Sequence, residues 1–596
     1  MKAGDLIKKV TLKGKTTIDL DQIYPIKPLD DSDYNVKYYI DDKEQSEMMG
    51  VYYADKIIVS SKTKEDVNII CGHGYLAKKA DEWSDLFVTD GIWQGGDGIF
   101  SFNIKNGKDH FDQEYIQPSL FVFGDSFIGQ YDPKTQKRLQ PHLMPNNTIA
   151  YLKENKVDFR VNTGDLDDVK GFYQLPKRYD YIGPIARNLV TYEPQKELDS
   201  YLSAYNPKTI EVIFDLYETR KITSIEVYNY FSKESDSLSK RGMKDISFYG
   251  SNDQETWVKI NDYTLNLSHS MEDVNKIDLD VEYRYIKLFN EAVNGKGNYN
   301  DEIYQEGLFG LNKVKFINNK QLYRDIEVIT NSVLRRESEH GWLWLQDGVV
   351  INKDLYFLPL IVGPDQSQPE GLQFKIMGVN CFKTPIVNGE IKPELSEAKF
   401  APISAYEKDS SYFFGAGIMA NTENAGAMNP DGYIYIYGYK TTLGLREMIV
   451  ARVKEERFEY FDEWTYFDGK DYSDNILDSQ PLLGHISCEM SVSQIREGHN
   501  KGKYIAVFTY DVDTPFVAFA LGDTPVGPFT KPQTIYHTPE QSIFKSTTYT
   551  YNAKAHPHLS NSKRILVSYN TNTYNFEHNM SHRLIYRPRF IYLNEI

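Results

Sequence analysis

The stretch DGYIYIYGYK, residues 431–440, begins with a polar turn and continues as a strand of alternating aromatic and aliphatic side chains. The same pattern recurs in four other segments: SLFVFGDSFIG (119–129), NKDLYFLPLIV (352–362), KGKYIAVFTY (501–510) and SKRILVSYNTN (562–572). A strand motif repeated along a long chain is typical of repeat architectures, and in a β-propeller each repeat is one blade. The sequence therefore predicts an all-β fold with a five-bladed β-propeller.

A second short segment precedes each of these strands. These segments are DGIWQGGDGIFSFN (90–103), GWLWLQDGVVI (341–351), SYFFGAGIMANTEN (411–424), HISCEMSVSQI (485–495) and TYNAKAHPHLS (550–560). We expect them to be the innermost strands, whose polar groups converge from different blades on the central channel. The alternative for any one of them is that its Gly, Asp and Asn residues only form turns.

The composition supports a β-rich fold and argues against some partners. Of 596 residues, 41% are hydrophobic and 14% aromatic, with 45 Tyr and 31 Phe, which suits pleated strands better than helices. The net charge of -17 argues against nucleic acid and anionic membranes as partners. Cys71, Cys381 and Cys488 lie far apart, so neither a disulfide framework nor a zinc knuckle is expected.

The first residues, MKAGDLIKKVTLKGKTT, lack an apolar signal region, and no apolar run is long enough for a membrane span. We expect an extracellular or cell-surface bacterial protein whose signal is missing from this sequence, and a cytoplasmic location is the alternative. We further expect a monomer whose partner is a polysaccharide or oligosaccharide.

A wide gap separates the first repeat from the second, which predicts an inserted module at 186–318. Its short strands and polar turns are consistent with a small β-sandwich. The motifs FDL at 214–216, SNDQETW at 251–257 and RYIKL at 284–288 resemble a discoidin domain of the coagulation-factor type C family. The predicted division is a β-rich lead-in at 1–70, blade 1 at 71–185, the insert at 186–318 and blades 2–5 at 319–596.

The densest group of polar residues lies in the first blade. Asp90 and Asp97 each precede a glycine, Trp93 lies between them, and Asp125 follows in the segment FGDSF. Glycines let the backbone approach a ligand closely, a tryptophan offers a platform for a sugar ring, and paired carboxylates can cleave glycosidic bonds. The alternative is that the aspartates only form turns or cap bends.

Further segments resemble a bacterial five-bladed propeller family that includes endo-D-arabinanases and is distantly similar to arabinanases and levansucrases. The matching motifs are GGDG at 95–98, FGDSF at 123–127, ARV at 451–453, EMSV at 489–492, GPF at 527–529 and SYNTN at 568–572. The resemblance covers about residues 70–185 and 335–596. It implies that Asp97 and Asp125 are the catalytic pair and that Glu489 is the general acid. Because the loop between the two aspartates is longer here, Asp90 is an alternative to Asp97.

Other channel-facing residues are candidates for substrate binding. They are Trp342, Asp347, Arg452, His556 and Asn570. The alternatives are a structural salt bridge of Glu489, for instance with Arg452, and core packing of the blade 2 tryptophans. His556 and His558 lie on one face of an extended strand, but two histidines do not define a zinc site, and no catalytic metal or other catalytic cofactor is expected.

In the insert, glycan contacts are predicted from loops at one end of the sandwich. The candidates are Arg241 in the loop 231–242 and Tyr299 and Tyr304 in the loop 294–307. The resemblance to discoidin domains also implies a structural calcium ion. The alternative is a spacer that binds nothing.

Together these features predict a glycoside hydrolase acting on a furanose-containing polysaccharide such as arabinan. Asp97 would be nucleophile or base, and Asp125 or Glu489 the acid. The alternatives are a non-catalytic glycan-binding surface or phage protein and a transglycosylase that uses the same carboxylates.

Overall fold

The computed structural model describes most of the chain. The described residues are 1–29, 34–111, 118–163, 169–174, 186–190, 200–204, 206–233, 235–300, 307–332, 341–365, 373–407, 409–512, 514–544 and 547–596. Short helices occur at Asp81–Ser84, Asp236–Ser239 and Phe576–Ser581. Single 3-10 turns occur at Asp85–Phe87, Ala186–Val190, Pro393–Leu395, Glu455–Arg457, Phe461–Glu463, Ile476–Asp478, Pro539–Ser542 and Pro557–Leu559. Within these ranges no helix has the length and hydropathy that a membrane crossing requires.

The predicted all-β fold is confirmed: a five-bladed β-propeller is interrupted by a discoidin-like β-sandwich. Each blade is an antiparallel sheet that begins with the predicted inner strand and continues with the predicted repeat strand. From the inside outwards, the blade strands are Phe100–Asn103, Ser119–Phe123, Thr148–Lys153 and Lys156–Arg160 in blade 1; Gly348–Ile351, Asp354–Phe357, Phe374–Val387 and Glu397–Ala401 in blade 2; Ser410–Asn421, Tyr433–Thr442, Leu445–Lys454 and Thr465–Phe467 in blade 3; Met490–Gln494, Tyr504–Thr509, Phe516–Gly522 and Gln533–His537 in blade 4; and Thr548–Ala555, Arg564–Thr573, Arg589–Glu595 and Tyr75–Lys79 in blade 5.

The outermost strand of blade 5 comes from the other end of the chain. Tyr75–Lys79 pairs antiparallel with Arg589–Glu595, although the sequence division assigned residues 71–185 to blade 1 alone. The ring of blades is therefore closed by hydrogen bonds between its first and last strands, so Arg589–Glu595 is not an open outer edge of blade 5.

Blade 1 is extended beyond its four strands by a short ladder that positions the site described below. Trp93–Gly96 precedes the inner strand and pairs with Ser126–Ile128, which follows the second strand. Additional strands at blade margins are Asn162–Thr163, Val169–Lys170, Trp342–Trp344, Leu360–Pro364, Glu390–Ile391, Ser404–Tyr406, Tyr472–Ser473 and Leu483–Gly484.

The inserted sandwich is built around two long bent strands. Its strands are Tyr201–Leu202, Ile210–Asn229, Asp245–Ser251, Val258–Thr264, Val274–Asn290, Gly310–Asn318, Gln321–Leu322 and Glu327–Thr330. The register of Ile210–Asn229 breaks after Asp215, so its first half pairs with Glu327–Thr330 and its second half with Gly310–Asn318. The sandwich sheet thus extends to Thr330, past the predicted boundary at residue 318.

The N-terminal lead-in forms two small sheets against the propeller. Its strands are Leu6–Leu12, Lys15–Ile26, Tyr34–Ile40, Lys43–Glu44, Tyr52–Ser61 and Glu65–Ile70. Tyr53 packs edge-on against Phe519 of blade 4 and accepts a hydrogen bond at its hydroxyl from the backbone N–H of Tyr75. These contacts tie the lead-in to blades 4 and 5.

Buried charges join the sandwich to blade 3. The guanidinium of Arg220, on a sandwich strand, donates two hydrogen bonds to the Asp325 carboxylate at 2.7 and 3.0 Å. The same guanidinium lies 3.6 Å from the Asp462 carboxylate of blade 3. Burial and the charge of Asp325 raise the pKa of Asp462 to about 6, although Arg220 opposes the rise. The sandwich is therefore docked on the propeller through a desolvated charge cluster.

This cluster makes the stability of the wild-type protein depend on pH. The folded-state pKa of Asp462 lies above its ordinary value of about 3.9. The contribution of Asp462 to the free energy of unfolding is therefore fully present below about pH 4 and is lost as the pH rises through about 6. We expect Asp462→Asn to gain melting temperature relative to the wild type between about pH 4 and 7. Asp474→Asn, an exposed change on the same blade, should shift melting by the same small amount at every pH. A constant difference between Asp462→Asn and the wild type would contradict this prediction.

Candidate functional site

The two first-blade aspartates lie opposite each other where the extended ladder meets the blade. Gly96 pairs with Ser126 in that ladder, so Asp97 directly follows one strand and Asp125 directly precedes its partner. The backbone N–H of Asp97 donates to the carbonyl of Asp125 at 3.3 Å, and the N–H of Gly124 donates to the carbonyl of Asp97 at 2.8 Å. Both carboxylates are half-buried. The structure therefore brings together the pair that the resemblance implied.

Two tyrosines hold one oxygen of Asp97. The hydroxyls of Tyr551 and Tyr586 each donate to Oδ2 of Asp97 at 2.9 Å. The other oxygen, Oδ1, faces Gly124, where a methyl group would lie only 2.5 Å away. Gly124 is thus required by the close approach of the carboxylate, and a proton carried by Asp97 resides on Oδ1 because Oδ2 already accepts two hydrogen bonds.

A backbone irregularity in blade 5 directs the side chains of Tyr551 and Lys554 towards the carboxylates. The register of the inner strand Thr548–Ala555 breaks between Tyr551 and Lys554, and Asn552 has a left-handed φ of 59°. Such a bulge changes the direction of the side chains beside it. Because of the break, one short segment supplies Tyr551 to Asp97 and Lys554 to Glu489.

Asp125 is held by polar groups from its own blade and from blade 2. Its Oδ1 accepts a hydrogen bond from the side-chain amide of Asn146 at 3.1 Å. Burial raises the pKa of Asp125, and hydrogen bonding by Asn146 and Trp344 opposes that rise. The site is therefore built from more than one blade.

Glu489 forms a buried ion pair beside the aspartates. The ammonium of Lys554 donates to Oε2 of Glu489, and the side chains are 4% and 13% exposed, respectively. With its amide oriented to satisfy both neighbours, Asn552 donates to Oε1 of Glu489 at 3.2 Å and accepts from the backbone N–H of Gly98 at 3.1 Å. Burial raises the pKa of Glu489, whereas Lys554 lowers it.

The three carboxylates do not titrate independently. Burial and the neighbouring charges of Asp125 and Glu489 raise the pKa of Asp97, and the hydrogen bonds from the two tyrosines only partly oppose this rise. Asp97 has two acidic neighbours that raise its pKa, whereas hydrogen bonds to Asp125 lower the pKa of that residue. Asp97 is therefore the member of the pair that retains a proton to higher pH.

Two first-blade predictions are corrected. Trp93 is 1% exposed, stacks on Phe159 with ring centroids 4.1 Å apart and donates its indole N–H to Thr148, so no face is available to a sugar. Asp90 lies on an exposed turn, where its carboxylate accepts a hydrogen bond from Tyr131. Asp97 rather than Asp90 faces Asp125.

Asp347 and Arg452 have structural partners in place of a ligand. The Asp347 carboxylate accepts hydrogen bonds from the backbone N–H groups of Gly348 and Ile418, which ties blade 2 to blade 3, and burial raises its pKa to about 7. Arg452, on the third strand of blade 3, lies over the rings of Tyr433 and Tyr472. Glu489 does form the structural salt bridge that was the predicted alternative, but its partner is Lys554 and not Arg452.

His556 and Asn570 also lie behind the site. The His556 ring is buried, and its Nδ1 lies 2.7 Å from the hydroxyl of Ser101, which joins blades 5 and 1. The buried amide of Asn570 donates to the carbonyl of Gly96 at 3.1 Å. Asn570 thus positions the backbone that carries Asp97. His558 is buried beside Asp109, as a structural histidine would be.

Aromatic side chains continue outwards from Asp97. Tyr551 lies 5.5 Å from the ring of Tyr549, which stacks on the exposed ring of Tyr574 at 4.5 Å. In blade 2, Trp342 is half-buried and packs edge-on against Trp344. Trp344, and not Trp342, is the tryptophan whose hydrogen bonding lowers the pKa of Asp125. The carboxylates therefore have an aromatic wall of Tyr549, Tyr551 and Tyr574 on the blade 5 side.

The predicted glycan contacts of the sandwich are partly described. Tyr299 is half-buried and its hydroxyl donates to the carbonyl of Leu265, and Arg241 is half-buried. Tyr304 lies outside the described residues. Among the residues that are described, no group of three or more His, Cys, Asp or Glu side chains is arranged to hold a metal ion. The implied calcium stays a prediction.

Sequence reasoning missed several residues that hold the site. They are Asn146, Trp344, Tyr551, Asn552 and Tyr586. Trp344, Tyr551 and Asn552 lie in segments that were predicted to be inner strands, and this position could have identified them. Asn146 and Tyr586 lie outside every repeat segment, and nothing local in the sequence marks them.

Comparison with known proteins gives one family and several similar structures. A family model described as a domain of unknown function, DUF5005, matches residues 289–595, just over half of the chain. No curated protein sequence matches. A Bacteroides ovatus protein described as a proposed hydrolase is 14% identical over 87% of this chain and 90% of its own, with a TM-score of 0.46.

Two further structures are similar to parts of the chain. The GH43_1 enzyme from Xanthomonas citri, complexed with xylose, is 14% identical over 42% of this chain and 87% of its own, with a TM-score of 0.21. The family 32 carbohydrate-binding module of Streptococcus pneumoniae EndoD is 15% identical over 25% of this chain and 93% of its own, with a TM-score of 0.19.

Proposed function

The chain belongs to the DUF5005 family, and because that description names no activity, we propose from the site itself that the protein is a glycoside hydrolase. The observation that carries the proposal is the facing pair of half-buried carboxylates, one held by two tyrosine hydroxyls and the other by an asparagine amide. Glycosidic cleavage uses one carboxyl that gives a proton and one that stays ionised.

We assign the two roles in the opposite order to the sequence prediction. Asp97 retains its proton to higher pH and carries it on Oδ1, so it is the general acid that protonates the glycosidic oxygen as the bond to the anomeric carbon breaks. Asp125 is the carboxylate that either attacks the anomeric carbon or takes a proton from the attacking water. Glu489, paired with Lys554, keeps a third charge near Asp97 and raises its pKa.

Surroundings of the pair favour a sugar over a peptide as substrate. Tyr549 and Tyr574 present stacked rings next to Tyr551, and aromatic rings beside hydrogen-bonding groups suit the apolar face and hydroxyls of a sugar ring. We propose a polysaccharide substrate with furanose units, arabinan first, and a location outside the cell. The sandwich is proposed as a carbohydrate-binding module.

A glycan panel tests the proposal. The wild-type protein and Asp125→Asn would be incubated with arabinan, galactan, levan and xylan, and new reducing ends would be measured. We expect release from at least one furanose-containing polymer, and a loss of about 10²-fold or more in Asp125→Asn. Binding without release from any polymer would instead support a lectin, and chain lengthening without net reducing ends would support a transglycosylase.

A further inference from the structure

A second cleft lies outside the propeller channel, between the lead-in and the outer side of blades 3 and 4. Its volume is about 620 Å³, within the range of small-molecule sites. The lead-in contributes Ile40 and the segment Lys43–Ser46, blade 3 and the following loop contribute Leu482–His485, and blade 4 contributes Tyr510, Phe516 and the segment Phe529–Thr534. Three parts of the chain that are distant in sequence therefore form its walls.

One end of the cleft carries a stacked pair of rings. The imidazole of His485 lies parallel to the ring of Tyr510, with centroids 5.1 Å apart and planes 5° from parallel. The carboxylate of Asp511 lies 3.0 Å from Nδ1 of His485 and fixes the orientation of the imidazole. The His485 side chain is 53% exposed. A flat ring held in place but open to solvent is suited to stacking against a ligand.

The wall of the cleft contains a buried amide that lacks a partner. Gln533 is 3% exposed, and its Oε1 accepts no hydrogen bond from the described residues. Leaving a buried acceptor without a donor is unfavourable, so such a group in a binding site is suited to a ligand that brings a hydroxyl or an N–H. Gln533 thus indicates a polar ligand independently of the ring stack.

Charges of both signs surround the cleft. Lys43 and Lys531 in its wall contribute positive charge, Asp511 beside His485 contributes negative charge, and Glu44 is paired with Lys37. A strongly charged ligand would gain little from this field, whereas a neutral ligand with many hydroxyls would find both donors and acceptors.

The ring end of the cleft lies towards the face that carries the catalytic carboxylates. His485 precedes Glu489 on the segment HISCE, just ahead of the inner strand of blade 4. Tyr510 follows the neighbouring strand at the same end, because Phe508 pairs with Met490. A chain lying in the cleft and passing the ring stack would therefore reach the end of the propeller at which Glu489 lies.

We propose that this cleft is a second glycan-binding site, which holds a segment of neutral polysaccharide while another segment occupies the channel. The class of ligand rests on the proposed function, whereas the site itself rests on the ring stack, the unpartnered amide oxygen and the presence of charges of both signs. A polymer spanning both sites gains affinity through effective concentration, and a short oligosaccharide does not.

The test measures binding in a protein that does not cleave. In the full chain carrying Asp125→Asn, Gln533→Leu and His485→Ala would be introduced separately, and electrophoresis through gels containing arabinan, galactan, levan or xylan would give dissociation constants. We expect each variant to bind the retarding polymer about three- to tenfold more weakly, as the loss of one hydrogen bond or ring contact implies. Affinity for the corresponding trisaccharide, measured by calorimetry, should not change.

Controls separate this inference from the proposed function. His537→Ala, an exposed histidine on the same strand as Gln533 but outside the cleft, should leave polymer affinity unchanged. Equal polymer affinity in parent and cleft variants, or no retardation of the parent by any polymer, would overturn the second site even if the wild-type protein cleaves glycans. If the cleft variants bind the polymer more weakly but the wild-type protein cleaves no glycan, the second binding site would be supported and the proposed hydrolase activity would be rejected.

Discussion

Replacing Asp97 with asparagine is expected to lower kcat/KM for the cleaved polysaccharide by about 10²–10⁴-fold, the usual contribution of a general acid. The amide oxygen can still accept the hydroxyls of Tyr551 and Tyr586, but no proton is available for the leaving oxygen. Initial rates of reducing-end release measure the effect, and polymer binding should stay within a fewfold of the wild type.

The chain supplies a matched control for this change. Asp90→Asn makes the same substitution in the same segment, but at an exposed turn held by Tyr131. Its rate should stay within about twofold of the wild type, since surface substitutions away from a site have small effects. Equal losses in the two variants, or an unaffected Asp97→Asn, would remove Asp97 from the mechanism.

Replacing Lys554 with methionine is expected to be the most destabilising of the changes considered. Methionine retains much of the packing of Lys554 over the ring of Phe100, but leaves Glu489 buried without its cation. Breaking a buried ion pair from one side costs about 3–5 kcal/mol. The midpoint of urea denaturation should fall accordingly, and adding Glu489→Gln to Lys554→Met should recover most of the loss.

An exposed ion pair on blade 4 provides the comparison. Lys503 pairs with Asp523, and their side chains are 31% and 60% exposed. Lys503→Met should cost less than about 1 kcal/mol because solvent screens the pair. If Lys554→Met were no more costly than Lys503→Met, the Glu489 carboxylate would not be held as a buried charge by Lys554.

The architecture of the ring was predictable because the strand pattern is local. Aromatic and aliphatic residues alternate in every repeat, as at 431–440, and these strands pair as predicted. The closing strand Tyr75–Lys79 was not predictable, because YLAKK carries little pattern and its partner lies at the opposite end of the chain. Pairing at such a distance is a property of the closed ring rather than of either segment.

The aspartate pair was predictable from the glycines beside it, whereas the groups that surround it were not. Gly124 and the glycines flanking Asp97 mark a backbone that approaches closely, and this signal is local. The burial of Trp93 depends on Phe159, and the position of Tyr551 depends on the bulge at Asn552. Sequence alone specified the residue types, but tertiary packing decided which of them are open to a ligand.

The site is assembled from blades 1, 4 and 5. Asp97 and Asp125 come from blade 1, whereas Tyr551 and Lys554 come from blade 5, which Tyr75–Lys79 completes. The site therefore depends on closure of the ring, and its charge pattern depends on Glu489 of blade 4. This arrangement explains why no single segment of the sequence contains the whole site.

We propose that Asp97 and Asp125 together hydrolyse a glycosidic bond. The decisive experiment is proton NMR of a furanose-containing polysaccharide, recorded during incubation with the wild-type protein and with the double variant Asp97→Asn/Asp125→Asn. Hemiacetal anomeric signals should grow with the wild-type protein and be absent with the double variant, which still binds the polymer. If the same signals grew at a comparable rate with the double variant, these two carboxylates would not be the hydrolytic pair.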